Sequence, residues 1–180
     1  AGFDVVTYNS ADQFLEQATD LRPGCVLLDV KMPGKSGLEL FCDIRRQRML
    51  LPVIFLSGHG DIEMAVQALH DGAFDFLVKP AEPERLIEKV QKAVEYGKRI
   101  RSQAQEQEEI KTLMARLTPS ELEVAQLMAK GLTVKAIAQL LKVSEQAIKA
   151  HRSSIYHKLD VINPVEVAGV VNDWLRSRKV

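Results

Sequence analysis

Hydrophobic positions fall into short, nearly continuous runs in the first half of the chain and into helical stripes in the second. The runs from Cys25 to Leu28, Val53 to Leu56 and Ala73 to Val78 read as strands buried on both faces. Phe3 to Tyr8 reads as a further strand, giving four. Between them lie helical signals. Ser10 with Gln13 three residues on makes a capping box, opening a helix to about Asp20. Leu38, Leu40, Phe41 and Ile44 make a second stripe, and Ile62, Ala65, Val66 and Leu69 a third, facing inward from about Asp61 to His70. Strand and helix alternate, which predicts a doubly wound parallel α/β sheet.

From Glu84 to Leu117 no strong breaker interrupts the chain, so one long helix is predicted. Leu86, Ile87, Val90, Ala93 and Val94 cover one face of its first turns. Beyond Gly97 that face becomes poor in apolar residues, which suits a solvated linker; a short coiled-coil contact and a flexible linker remain open alternatives. After it, Thr118-Pro119-Ser120-Glu121 is a helix start. Further starts stand at Thr133, Ser144 and Asn163-Pro164. The inward residues are Leu122, Val124, Ala125, Leu127 and Met128; Ile137, Ala138, Leu140 and Leu141; Ile148, Ile155 and Leu159; and Val167, Val170, Val171 and Trp174. Two short helices with a tight turn before Ser144, the second longer and basic, make a helix-turn-helix pattern. The chain thus divides into 1–97, a helical linker 98–117, and an all-α domain 118–180.

The 180 residues carry no net charge, yet residues 1–97 hold −5, residues 98–117 +2 and residues 118–180 +3. An acidic first half and a basic last third point to different partners. No run is long enough to cross a bilayer, and the first residues lack the basic and apolar regions of a secretory signal. Cys25 and Cys42 read as buried free thiols of a reducing cytosol, with a disulfide or metal pair as the alternative.

Each of three runs ends in chemistry. Val26-Leu27-Leu28 ends in Asp29, Val53 to Leu56 in Ser57, and Phe76-Leu77-Val78 in Lys79. The carboxyl ends of parallel strands line the ligand crevice of an open α/β sheet. A carboxylate nucleophile, a hydroxyl and an ammonium at one edge suit a phosphoryl group.

Asp29 with Met32-Pro33-Gly34, then Ser57, then Lys79-Pro80, in that order and strand context, resemble the receiver domain of bacterial two-component response regulators. The resemblance implies that a sensor histidine kinase phosphorylates Asp29 and that Ser57 and Lys79 hold the phosphate. It also implies that Phe76 changes rotamer on activation. Mg2+ would be bound by Asp29 and the backbone carbonyl of Lys31. In the family an additional first strand ends in an acidic pair that completes the magnesium site, and nothing here matches it. The sequence therefore reads as lacking that strand and helix, some 20–30 residues. The alternative is a degenerate receiver that regulates without phosphate.

In the last third, Leu117-Thr118-Pro119-Ser120-Glu121, Gly131-Leu132-Thr133, Ile137-Ala138, Val143-Ser144, Ile148-Lys149-Ala150-His151-Arg152 and Lys158-Leu159 resemble the LuxR-type DNA-binding domain. Together the halves resemble a NarL/FixJ-type regulator, the FixJ-like subgroup being suggested by Phe76 and Ser57-Gly58-His59-Gly60-Asp61. Lys149, Ala150 and Ser153 would then face base edges. Gln146, Arg152, Lys158 and, on the preceding helix, Lys135 would meet phosphates. Ala147, Val134 and Ser120 depart from the common Thr, polar residue and Arg. Between Gln146 and Leu159 there is no acid, which suits a phosphate backbone.

The resulting expectation is a cytoplasmic, non-enzymatic transcription regulator. Its expected partners are a histidine kinase, double-stranded promoter DNA, RNA polymerase and, once phosphorylated, a second copy; no membrane is expected. Two rivals are an aspartyl-phosphate phosphatase, for which Lys31 stands where a second acid is needed, and an RNA-binding or protein-binding output.

Overall fold

The computed structural model describes residues 2–18, 23–58 and 62–178, except the side chains of Ile62 and Ala65. The expected helix end at Asp20, the expected helix start at Asp61, the inward placement of Ile62 and Ala65, and the motif residues His59 and Gly60 lie outside what it describes. Two compact units follow one another, Ala1–Ser102 and Gln103–Val180.

In the first unit, β1 (Val26–Asp29), β2 (Val53–Ser57) and β3 (Asp75–Val78) form a parallel sheet in the order β1-β2-β3. Phe55 and Leu28 face a core built with α1 (Ala11–Gln17), α2 (Gly37–Arg46) and Ala68 of α3 (Ile62–His70). Ile54 and Leu77 face the other way, onto Leu86, Val90 and Ala93 of α4 (Pro83–Ala115). Helices on both faces are the doubly wound arrangement. Phe41 meets Phe55 edge-on at 5.3 Å between ring centroids. Each fully buried side chain of this size contributes about 1.5–3 kcal/mol, so the sheet is held by its centre and its rim is free for chemistry.

Local signals set the helix starts. Ser36 caps α2 in a capping box with Glu39, as Ser10 caps α1 through the Gln13 N–H. Gly37 lets α2 begin against the end of β1: a Cβ there would stand 2.0 Å from the Asp29 carbonyl oxygen.

Several expectations are corrected. The sheet has three strands among the described residues, not four: Phe3 to Tyr8 forms no ladder, and Val5 and Val6 are exposed. An apolar-rich segment becomes a strand only when a neighbour takes its backbone hydrogen bonds. Leu27 is exposed rather than buried, because α4 covers β2 and β3 on that face and leaves β1 open. On α3 the inward residues are Met64 and Ala68, while Val66 and Leu69 face out. Cys42 is exposed; Cys25 is half-buried, and burial pushes its thiol pKa up.

The second unit packs α5 (Pro119–Ala129), α6 (Val134–Leu141), α7 (Glu145–Leu159) and α8 (Pro164–Ser177) around Val124, Ala125, Ile137, Ile148, Ile155, Leu159, Val167 and Val171. Thr118, Thr133, Ser144 and Asn163 cap them through side-chain oxygens. Met114 and Leu117 are buried in this core with Ile110 and Leu113 against it, so the end of α4 is not solvated. Leu140 is exposed: on eight residues of α6 the core side is taken by Ile137, Ala138 and Leu141.

Candidate functional site

The register of the sheet assembles the first site. Asp29 lies opposite Leu56, and Ser57 is the next residue of β2, opposite Val78. The Lys79 N–H donates to the Ser57 carbonyl at 2.6 Å, which holds the exit of β3 beside the end of β2. Lys79 can then reach across β2, and its ammonium pairs with Asp29 Oδ2. The Lys31 N–H donates to Asp29 Oδ1 at 3.1 Å. The hydrogen bond from Lys79 is the main reason the Asp29 carboxyl titrates below its ordinary range, ahead of the opposing effect of burial. Asp29 is therefore an anion at neutral pH, with side-chain exposure of 38%. Such a group is a nucleophile within reach of a donor, and the neighbouring ammonium can neutralise an incoming phosphoryl oxygen.

Ser57 is almost fully buried at the end of β2. Phe76 lies opposite Phe55 in the ladder, with ring centroids 6.5 Å apart and its own side chain half-buried. Asp29 and the Lys31 carbonyl are hard oxygen donors of the kind magnesium takes, but an octahedral ion needs more than two such ligands. Among the described residues no group of three His, Cys, Asp or Glu gathers, so these donors alone do not fit a complete magnesium site.

The second site is one face of α7. Ile148, Ile155 and Leu159 are buried, while Gln146, Lys149, Ala150, Ser153 and His157 are exposed along the opposite side. Lys135 of α6 is exposed too. Arg152 is half-buried: its guanidinium donates to the Tyr156 hydroxyl at 2.8 Å and lies 5.6 Å from that ring's centroid. Lys158 has another occupation. Its ammonium binds Glu121 Oε2 of α5 at 2.6 Å, while the Ser154 hydroxyl donates to Oε1 at 2.6 Å. Sequence reasoning found Glu121 as a cap residue and missed this cross-link, and it gave Ser154 and Tyr156 no role.

Burial opposes ionisation of Glu121. Donors from Lys158, Ser154 and Thr118 outweigh it and bring the pKa down to about 2. Folding lowers this pKa, so the stabilisation is full above about pH 4.5 and is lost as pH falls toward 2. Acid unfolding of the second unit, followed by Trp174 fluorescence, should show a loss in that window, and Glu121→Gln should flatten it.

Two family descriptions divide the chain. The response regulator receiver domain matches residues 1–91, and the bacterial regulatory proteins of the luxR family match residues 115–171. The transcriptional regulatory protein FixJ of Bradyrhizobium diazoefficiens is 33% identical over 179 residues, 96% of this chain and 87% of that protein. TdiR of Thauera aromatica, also a transcriptional regulatory protein, is 38% identical over 156 residues, 87% of this chain and 69% of TdiR. The solved structure of the response regulator StyR matches with a TM-score of 0.87 at 35% identity, covering 96% of this chain and 87% of that one. The chain belongs to the NarL/FixJ-type response regulators of two-component systems, transcription regulators in which a receiver domain is joined to a LuxR-type DNA-binding domain. No helix among the described residues is long and apolar enough to cross a membrane.

Proposed function

We propose that the protein is a cytoplasmic, phosphorylation-controlled DNA-binding regulator, with residues 1–97 as the receiver, 98–117 as the linker and 118–180 as the output domain. A histidine kinase presents a phosphoimidazole. An Asp29 oxygen attacks phosphorus, the P–N bond breaks, and the imidazole leaves with the electron pair. Lys79 moves from the carboxylate to the new phosphoryl oxygens, Ser57 donates to another, and Phe76 changes rotamer. The observation that carries this reading is the pairing of the Lys79 ammonium with the Asp29 carboxylate at the carboxyl edge of the sheet. It supplies both the nucleophile and its charge partner in one place.

Phosphate must favour a dimer-competent state over the resting one. Val66, Leu69 and Val78 are large apolar side chains left exposed on α3 and β3, a surface suited to a second copy. One helix-turn-helix reads only a few base pairs, so two copies suit a two-fold promoter site. Gln146, Lys149, Ala150, Ser153, Arg152 and Lys135 form the DNA side. Lys149 reaches guanine acceptors and Ala150 a thymine methyl. Lys149→Ala should weaken binding to a selected duplex by about 1–3 kcal/mol, measured by fluorescence anisotropy. An equal loss on random duplex would mean that Lys149 touches phosphate instead.

A further inference from the structure

We infer that Glu121 is a positioning residue for DNA recognition: its carboxylate grips Ser154 and Lys158 and fixes the rotation of α7, and Lys158 is a strut rather than a phosphate contact. This rests on the DNA-binding reading above and concerns how the reading helix is aimed.

The carboxylate is itself immobile. Glu121 sits in the first turn of α5, is 5% exposed, and accepts the Thr118 N–H at 2.7 Å within the capping box. Both its oxygens are committed to α7, to residues 33 and 37 positions further along the chain. Ser154 and Lys158 are four residues apart, hence on one side of α7. At 3.6 residues per turn that side stands about a quarter-turn from the exposed face of Gln146, Lys149, Ala150, Ser153 and His157.

Apolar packing alone does not fix this rotation well. Ile148, Ile155 and Leu159 form a narrow stripe, and hydrophobic contact has no direction. Two hydrogen bonds to one carboxylate do have direction. Side-chain tips stand about 5–6 Å from a helix axis, so a rotation of about 30° moves them by about 3 Å. That displacement exceeds what a hydrogen bond to a base edge tolerates. Contacts to phosphate, made by flexible cationic chains, tolerate it better. Loss of the grip should therefore cost sequence preference before it costs general affinity. The nearly buried site of Glu121 also gives Lys158 a reason to stay, since an unpaired buried carboxylate is strongly unfavourable.

The test uses the full chain and two probes: a 30-base-pair duplex selected from a random pool by the unmutated protein, and a random-sequence duplex. Affinity is measured for both across a salt series, with thermal melts by circular dichroism. Lys158→Met should lower the selected-to-random affinity ratio by about tenfold, the worth of one good base contact, with an unchanged salt slope. Lys158→Arg should restore the ratio. Glu121→Gln should lower it similarly. An equal loss on both duplexes after Lys158→Met, with a slope shallower by about 0.9, is the signature of one lost phosphate contact and overturns the inference. So does an unchanged ratio in both variants. Where Glu121→Gln does not fold, Ser154→Ala removes one attachment point without changing charge, and an unchanged ratio there overturns the inference equally. Failure of the unmutated chain to bind either duplex overturns the DNA reading itself, an outcome distinct from normal binding that the variants leave intact.

Discussion

Asp29→Asn is expected to abolish phosphoryl incorporation from acetyl phosphate and, with it, phosphate-stimulated dimerisation. Asn keeps the size of the side chain and an oxygen that can accept the Lys31 N–H, which now bonds Asp29 Oδ1 at 3.1 Å. It removes the negative charge, and an amide oxygen does not make a stable phosphoester. Losing a nucleophile costs about a thousandfold in rate or more, so labelling should fall to background. Stability should change little. The Asp29–Lys79 pair is well exposed on both sides, 38% and 44%, and such pairs are weak in water. A melt within a few degrees of the parent therefore rules out unfolding as the cause. Intact-mass measurement reads the labelling, and sedimentation reads the dimer. Labelling retained in the variant would move the acceptor elsewhere. Absence of labelling in the parent, with duplex binding intact, would instead identify a regulator that works without phosphate.

The candidate site was legible in the sequence where chemistry followed an apolar run. An apolar strand of a parallel sheet ends in something polar at the sheet edge, and Asp29, Ser57 and Lys79 stand at or just past those ends. Helix starts were legible for a similarly local reason: the side-chain oxygens of Ser10, Thr118, Thr133, Ser144 and Asn163 all accept hydrogen bonds from N–H groups of their own first turns. What stayed hidden depends on contacts distant in sequence. In α3, Met64 with Ala68 and Val66 with Leu69 both have helical spacing, and only the partner surface decides which pair is buried. Leu27 has the composition of a core residue, but whether a helix reaches it is set by where α4 lies. Glu121 carries a complete local explanation as the third residue of a capping box. That explanation conceals its second use by Ser154 and Lys158 on another helix.

Gly37→Ala should destabilise the first unit by about 3 kcal/mol, at the upper end for overpacking, and should disturb Asp29 as well. The requirement at Gly37 is space, not conformation. Its N–H donates to the Val30 carbonyl at 3.1 Å, which seats the start of α2 directly on the residue after the candidate acceptor. A Cβ would stand 2.0 Å from the Asp29 carbonyl oxygen, 2.9 Å from its carbon and 3.1 Å from Val30 Cα. All three are backbone atoms of the β1 end, so relief comes only by moving α2 or that strand end. Gly34, in the same loop, is the contrast. Its φ is +75°, but a Cβ there meets nothing within 4 Å, so Gly34→Ala carries only the left-handed penalty of about 1–2 kcal/mol. Urea melts followed by circular dichroism should rank the two in that order. Trp174, the one tryptophan of the chain, lies in the second unit, so its fluorescence transition should stay in place for both variants. The same collision predicts that Gly37→Ala slows phosphoryl incorporation under conditions where it remains folded, while Gly34→Ala has the smaller effect. Equal melts and equal labelling for the two would mean that α2 does not hold the Asp29 backbone in place.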